Sequence, residues 1–265
     1  MLDESWSRGM ARLAVIQFPG SNCEYETARA ASKAGFDAKI VRWNFPADEL
    51  AKFDAYILPG GFSYQDRVRA GAISAKLPVV GVLAEAAHEG KPILGICNGC
   101  QILAEAGLIP DLSGNQEVSV ALARNVRDGQ LLGFMCDWIF VKPQRPEKSL
   151  FMRYFLESDV LPIPINHGEG RFVLKPEVNV EDYASFVFCD SHGVVSDAAN
   201  PNGSYLNLAG LSNQKGNVLA MMPHPERSAF SKQIPISIDS PWTAQKFEDV
   251  DGPWMKLFLA MREAA

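Results

Sequence analysis

Two short stretches hold side chains whose types and spacing suit covalent catalysis. Gly95-Ile96-Cys97-Asn98-Gly99 sets a thiol between two glycines, and Met222-Pro223-His224-Pro225-Glu226 sets an imidazole two residues before a carboxylate. The first has the G-x-nucleophile-x-G form of a nucleophile elbow, with cysteine in place of serine. A nucleophile on so sharp a turn needs small neighbours. With a helix opening behind it, backbone N–H groups and the helix dipole favour thiolate, and the Asn98 N–H faces a developing oxyanion. In the second stretch, Pro225 pushes His224 into an extended conformation, so His224 and Glu226 project to one side. Glu226 then orients the ring, and the ring takes a proton from Cys97. Pro59-Gly60-Gly61 offers the other half of an oxyanion hole, because backbone amides need an approach that side chains would block. The plainer readings are a buried structural cysteine, a structural histidine and a simple turn. The joint presence of all three motifs weighs against them, although 127 residues (224 − 97) separate base from nucleophile.

The elements around these residues are predicted from apolar runs and breakers. Residues 11–18, 36–43, 54–58 and 92–96 are short apolar strands, continuous as expected where helices cover both faces. Helices are predicted from a Ser21 or Asn22 cap to Ala34 with Gly35 behind, over 78–89 with Gly90 behind, and over 100–106 up to Gly107. Strand–helix alternation from 11 to 107 means an α/β fold with a doubly wound, mostly parallel sheet flanked by helices. The second half is richer in strands, at 118–124, 137–141, 186–189, 208–212 and 218–222, before a last amphipathic helix at 253–262. The catalytic stretches then follow buried strands, at the mouth of the sheet. Residues 1–10 read as a leader, 142–149 and 228–252 as loop insertions, and 1–265 as one domain.

Composition narrows the function classes. The chain has 265 residues, 47% hydrophobic and 21% charged, with 25 basic against 31 acidic residues dispersed along it. That balance speaks against nucleic acid, and no apolar run reaches the ~20 residues of a membrane span. Five cysteines, an odd and sparse set, argue for a reducing setting rather than a disulfide framework. Cys100 reads as core, and Cys23, Cys136 and Cys189 as inert. His88 and His192 read as surface or structural. Four scattered histidines make no zinc cluster, and no nucleotide-binding glycine motif is present.

GICNGCQIL, PHPE and LPGGFSY together resemble the class I (triad) glutamine amidotransferases. FPGSNCE, LPGGFSYQDRVRAGA, NHGEGR, NPNGS followed by AG, and MMPHPER narrow the resemblance to the glutaminases of phosphoribosylformylglycinamidine synthases, in purine biosynthesis. These blocks lie in order between residues 12 and 228. The resemblance implies a flavodoxin-like fold in which Cys97 attacks the glutamine amide, His224 shuttles the proton and Glu226 orients His224. It implies oxyanion donors at Gly61 and Asn98, and a glutamine pocket from Gly60, Phe62, Gln101, His167, Gly168 and Glu169. A γ-glutamyl thioester would form as ammonia leaves, and water would then release glutamate. The ammonia would pass to a synthetase subunit that uses ATP and magnesium, so this chain would hold no cofactor and no metal. A small accessory subunit and a cytoplasmic setting fit the same pattern. Opening on its own methionine without a synthetase domain, the chain is expected to be the separate-subunit form. Gln65-Asp66 stand where many members have Gly-Asp, Arg67-Val68-Arg69-Ala70 also departs from the commoner forms, and the two insertions match no short-subunit pattern. The alternatives are a glutaminase of another amidotransferase, a cysteine-elbow peptidase-like or glyoxalase-like enzyme, a Cys97/Cys100 redox pair and a non-catalytic scaffold.

Overall fold

A computed structural model of the chain describes residues 9–176, 178–243 and 250–265. Residues 1–8 of the expected leader and 244–249 of the expected 228–252 insertion lie outside the described residues. The first half alternates as its apolar runs predict. Strand β1 (Arg12–Gln17) is followed by helix α1 (Glu24–Lys33), β2 (Asp37–Arg42), the single turn α2 (Ala47–Leu50) and β3 (Ala55–Leu58). Helix α3 (Pro78–His88), β4 (Ile93–Ile96) and α4 (Asn98–Glu105) complete it. Helix α2 is not expected from the sequence, α4 starts at Asn98 rather than Cys100, and two further details differ. Cys23, not Ser21 or Asn22, precedes α1 and gives no side-chain cap, because residues 20–23 are held by the turn after β3. β2 is mostly half-buried rather than covered on both faces, because it is the edge of the sheet.

The second half contributes β5 (Val120–Ala123), the small hairpin β6 (Val126–Arg127) and β7 (Gln130–Leu131), and the long β8 (Met135–Pro143). Then come β9 (Leu161–His167), β10 (Arg171–Leu174), β11 (Ala184–Cys189), β12 (Leu208–Ser212), β13 (Val218–Met221) and α5 (Met255–Ala264). β8 takes in Lys142 and Pro143, two residues that the sequence places in the 142–149 loop. α5 starts at Met255 behind Trp254, leaving Pro253 just outside it.

One sheet has the order β2-β1-β3-β4-β13-β12-β11-β8-β9. The first five strands are parallel, and the last four join antiparallel. The parallel half has the 2-1-3-4-5 order of flavodoxin-like sheets, with β13 as its fifth strand. The register of β13 on β4 runs from Val218 beside Ile93 to Met221 beside Ile96. The Cys97 N–H then donates to the Met221 carbonyl at 2.8 Å. A strand late in the chain thereby ends beside the elbow, and the 127-residue gap closes through sheet pairing.

β9 escapes the sequence pattern because prolines 162 and 164 read as breakers. Its outer edge explains why they are tolerated. Pro162 and Pro164 turn away from β8, where a proline forfeits no ladder donor. The carbonyls on that edge meet His224, Ser228 and Trp254 instead. Pro164 accepts the His224 N–H (2.9 Å), and Pro162 accepts Ser228 Oγ (3.1 Å) and Trp254 Nε1 (3.0 Å). Trp254 is fully buried against Phe155 and Phe186.

Candidate active site

Cys97 sits between β4 and α4 with φ 51° and ψ −105°, a strained conformation for a residue with a side chain. Its neighbours are small for a measurable reason. A Cβ on Gly95 would fall 2.5 Å from Leu103 Cδ1, and one on Gly99 would overlap the Leu58 carbonyl oxygen. The elbow is thus pressed against both β3 and its own helix. Cys97 is 5% exposed, with its sulfur 3.5 Å from the Asn166 carbonyl oxygen.

His224 follows β13 with an extended backbone, φ −102° and ψ 90°, as the proline after it dictates. His224 Nδ1 bonds Glu226 Oε1 at 2.6 Å, with both side chains essentially out of water. Nε2 finds no hydrogen-bond partner among the described residues. A buried imidazole with one nitrogen tied to a carboxylate and the other unpartnered is oriented for proton transfer. Burial alone would push His224 down, but the Glu226 carboxylate and the Cys97 sulfur outweigh it and hold the imidazole well above the usual histidine range.

Gly60 and Gly61 play different parts. A Cβ on Gly60 would lie 2.7 Å from His224 Cε1 and 3.0 Å from Cys23 Sγ, so glycine here makes room for the imidazole. Gly61 has φ +151°, and a Cβ there would strike Ser21 Cα at 2.6 Å. Ser21 and Gly61 form an antiparallel bridge whose bonds run through their neighbours: Asn22 N–H to the Gly60 carbonyl and Phe62 N–H to the Gly20 carbonyl. In that pattern the Gly61 N–H points out of the pair. Gly61, Phe62, Cys97, Asn166, His224 and Arg227 are among the residues that line one cavity of about 140 Å³. The backbone N–H of Asn98, in the first turn of α4, has no intrahelical acceptor.

The expected glutamine contacts fall into two groups. Phe62 lines the Cys97 cavity, packed against Phe134 at 6.1 Å between ring centres. Gly168 and Glu169 line an adjoining cavity of about 270 Å³ with Arg124, Leu131, Gly133 and Phe134. Phe134 borders both. Gln101 and His167 line neither, because their polar atoms serve the scaffold. Gln101 donates to the Glu169 carbonyl (2.7 Å) and accepts from Asn98 Nδ2 (2.9 Å), which clamps the 167–170 loop onto α4. His167 Nδ1 meets Asn125 Oδ1 at 3.2 Å, and burial, with His224 nearby, pushes its imidazole down to about 3.

Asn125 carries no sequence signal. It donates to the Gly133 and His167 carbonyls, accepts from the Gly170 N–H, and so pins the loop from three sides. The NPNGS block supports the same loop, with Asn202 Nδ2 donating to the Gly170 carbonyl at 2.9 Å. Cys23 departs furthest from expectation. Read from the sequence as inert, it lines the Cys97 cavity beside His224. The Cys97-x-x-Cys100 redox alternative loses ground: Cys100 is fully buried, and burial and the Cys97 sulfur push its thiol well up. Arg227 bonds Glu26 Oε1 at 3.0 Å and reaches the cavity as well. Gln65 has φ +60°, a left-handed backbone that favours glycine.

Known proteins resemble this chain in sequence and in fold. A family model described as a CobB/CobQ-like glutamine amidotransferase domain matches residues 10–263. Phosphoribosylformylglycinamidine synthase subunit PurQ of Methanothrix thermoacetophila is 48% identical over 84% of this chain and 89% of its own length. The subunit of that name from Methanopyrus kandleri is 44% identical over 83% and 90%. Among solved structures, a chain of PurLQS from Thermotoga maritima superposes with a TM-score of 0.71 at 31% identity, covering 95% of this chain and 97% of that one.

Proposed function

The chain belongs to the CobB/CobQ-like glutamine amidotransferases, in the family of phosphoribosylformylglycinamidine synthase glutaminase subunits, and we propose that it works there through Cys97, His224 and Glu226. The observation that carries this reading is a single cavity holding the strained Cys97, the Gly61 turn and a His224 locked to buried Glu226.

Chemistry follows from that arrangement. Cys97 Sγ attacks the glutamine amide carbon once His224 holds the thiol proton. An imidazole held well above its usual range keeps that proton through the attack. The amide oxygen, now negative, meets the N–H groups of Gly61 and Asn98. His224 then protonates the amide nitrogen, the C–N bond breaks, and ammonia leaves a γ-glutamyl thioester on Cys97. Water, losing its proton to His224, attacks the thioester and releases glutamate and the thiol. Phe62, Gly168 and Glu169 bound the two adjoining cavities in which glutamine would lie.

Ammonia is consumed by a synthetase partner, which converts formylglycinamide ribonucleotide to formylglycinamidine ribonucleotide; ATP and magnesium belong to that partner. The whole chain acts as one glutaminase domain, and the setting is the cytoplasm. No helix among the described residues is long and apolar enough to cross a membrane. All five cysteines are unpaired. In the assembled synthase, Cys97→Ala should abolish glutamine-dependent synthesis and spare synthesis driven by added ammonia. Loss of both would make Cys97 structural. Mass-spectrometric mapping should place the adduct of a reactive glutamine analogue on Cys97.

A further inference from the structure

The FPGSNCE segment, residues 18–24, supplies none of the reacting groups, yet it touches both features that must be aligned. Its backbone grips the oxyanion turn: Asn22 and Cys23 N–H both donate to the Gly60 carbonyl at 3.3 Å, and Phe62 N–H donates to the Gly20 carbonyl at 2.9 Å. Its cysteine reaches the base. Cys23, His224 and Glu226 each offer an S, N or O atom within 4.8 Å of the others, all three buried. His224 Cε1 and Cys23 Sγ also crowd the same point above Gly60, 2.7 and 3.0 Å from a Cβ built there.

The thiol itself is fixed from two sides. It donates to Asn22 Oδ1 at 3.1 Å and accepts from Arg227 Nη2 at 3.1 Å. Arg227 is in turn anchored through Nε to Glu26 Oε1 of α1 at 3.0 Å. A ring tied only through Nδ1 keeps freedom to tilt about that bond, and tilt moves Nε2 away from its target. We propose that Cys23, locked by Arg227, is a positioning residue that packs against His224, so that residues 20–23 align the oxyanion turn and the base as one unit. Burial, with the Glu226 carboxylate, pushes the Cys23 thiol up, more than His224 and Arg227 pull it down.

This inference rests on the triad reading, and its test separates the two. In the assembled synthase, Cys23→Ala should lower glutamine-dependent kcat by about 10–100-fold, the scale expected when a reacting group is misplaced by a fraction of an ångström. Glutamine KM should stay within about twofold, as for an interaction felt in the transition state and not in substrate binding. Ammonia-driven synthesis should not change. Cys23→Ser, which still offers Arg227 an acceptor, should restore most of the rate. An unchanged kcat in Cys23→Ala overturns the proposal, and so does a raised KM at constant kcat, which would make Cys23 a substrate contact. Should Cys23→Ala fail to assemble, Arg227→Gln carries the same test: kcat must fall without KM, and an unaltered kcat refutes the clamp. Cys97→Ala that retains glutamine-dependent synthesis would instead sink the triad reading, whatever Cys23 does.

Discussion

Gly60→Ala perturbs the space that the imidazole shares with the Cys23 sulfur and the turn after β3. Gly60 has no left-handed φ, so alanine there brings no backbone strain, and its carbonyl can keep the Asn22 and Cys23 N–H groups. What changes is one methyl group, whose carbon would sit 2.7 Å from His224 Cε1 and 3.0 Å from Cys23 Sγ. Carbon atoms pack at about 3.5–4.0 Å, so the ring must retreat by roughly 1 Å or the turn must shift by as much. A displacement of that size costs on the order of 10²-fold in rate, while overpacking costs about 1–3 kcal/mol of stability. The assay is glutamine-dependent against ammonia-dependent synthesis in the assembled synthase, beside a urea unfolding curve. Glutamine-dependent kcat should fall by about 100-fold with the ammonia-dependent rate intact. A variant within about threefold of wild type in kcat would show that neither the ring nor the turn needs ångström alignment, which refutes the positional role of Gly60.

Three further outcomes follow from the same geometry. Glu226→Gln removes the main group that holds His224 up, so burial takes over and the imidazole loses its proton at lower pH; kcat should drop by about 10³–10⁴-fold. The raised His224 adds stability that is fully present below its unfolded value of about 6.5 and lost as pH rises through the folded value. Glu226→Gln should therefore flatten the alkaline side of the stability–pH curve, and an unchanged curve would contradict the pairing. His167 has the opposite sign. Held down to about 3 in the folded chain, it stays neutral while the unfolded chain takes up a proton below about pH 6.5, so stability falls as pH drops through that window. By pH 4.5 the loss is about 3 kcal/mol, and His167→Gln should show less loss between pH 7 and 4.5 in urea unfolding midpoints.

The legible part of this molecule is the part in which chemistry or a close approach restricts residue type. Cys97 is legible because only glycine fits at 95 and 99, against Leu103 and the Leu58 carbonyl. The His224-Pro225-Glu226 order is legible because proline fixes the backbone of the residue before it. The parallel strands are legible as unbroken apolar runs, with β2 misjudged because its edge position is a property of the sheet and not of its own residues. β9 was hidden by two prolines that are harmless only on an edge.

Asn125 and Cys23 were hidden for another reason. Each acts through partners distant in sequence: Asn125 through His167 and Gly170, Cys23 through Arg227, 204 residues away. No local periodicity reports such contacts, and one sequence offers only the FPGSNCE block as a sign that residues 18–24 are constrained. The site is therefore built twice over. One set of residues is fixed by what the reaction requires, the other by what the first set needs in order to stay in place. Gly60 belongs to both. From the sequence it reads as turn and pocket, yet the structure gives it the task of leaving room for His224. A residue whose contribution is the absence of atoms leaves no chemical signature of its own. Its role emerges only once the imidazole and the Cys23 sulfur are seen to need the same space.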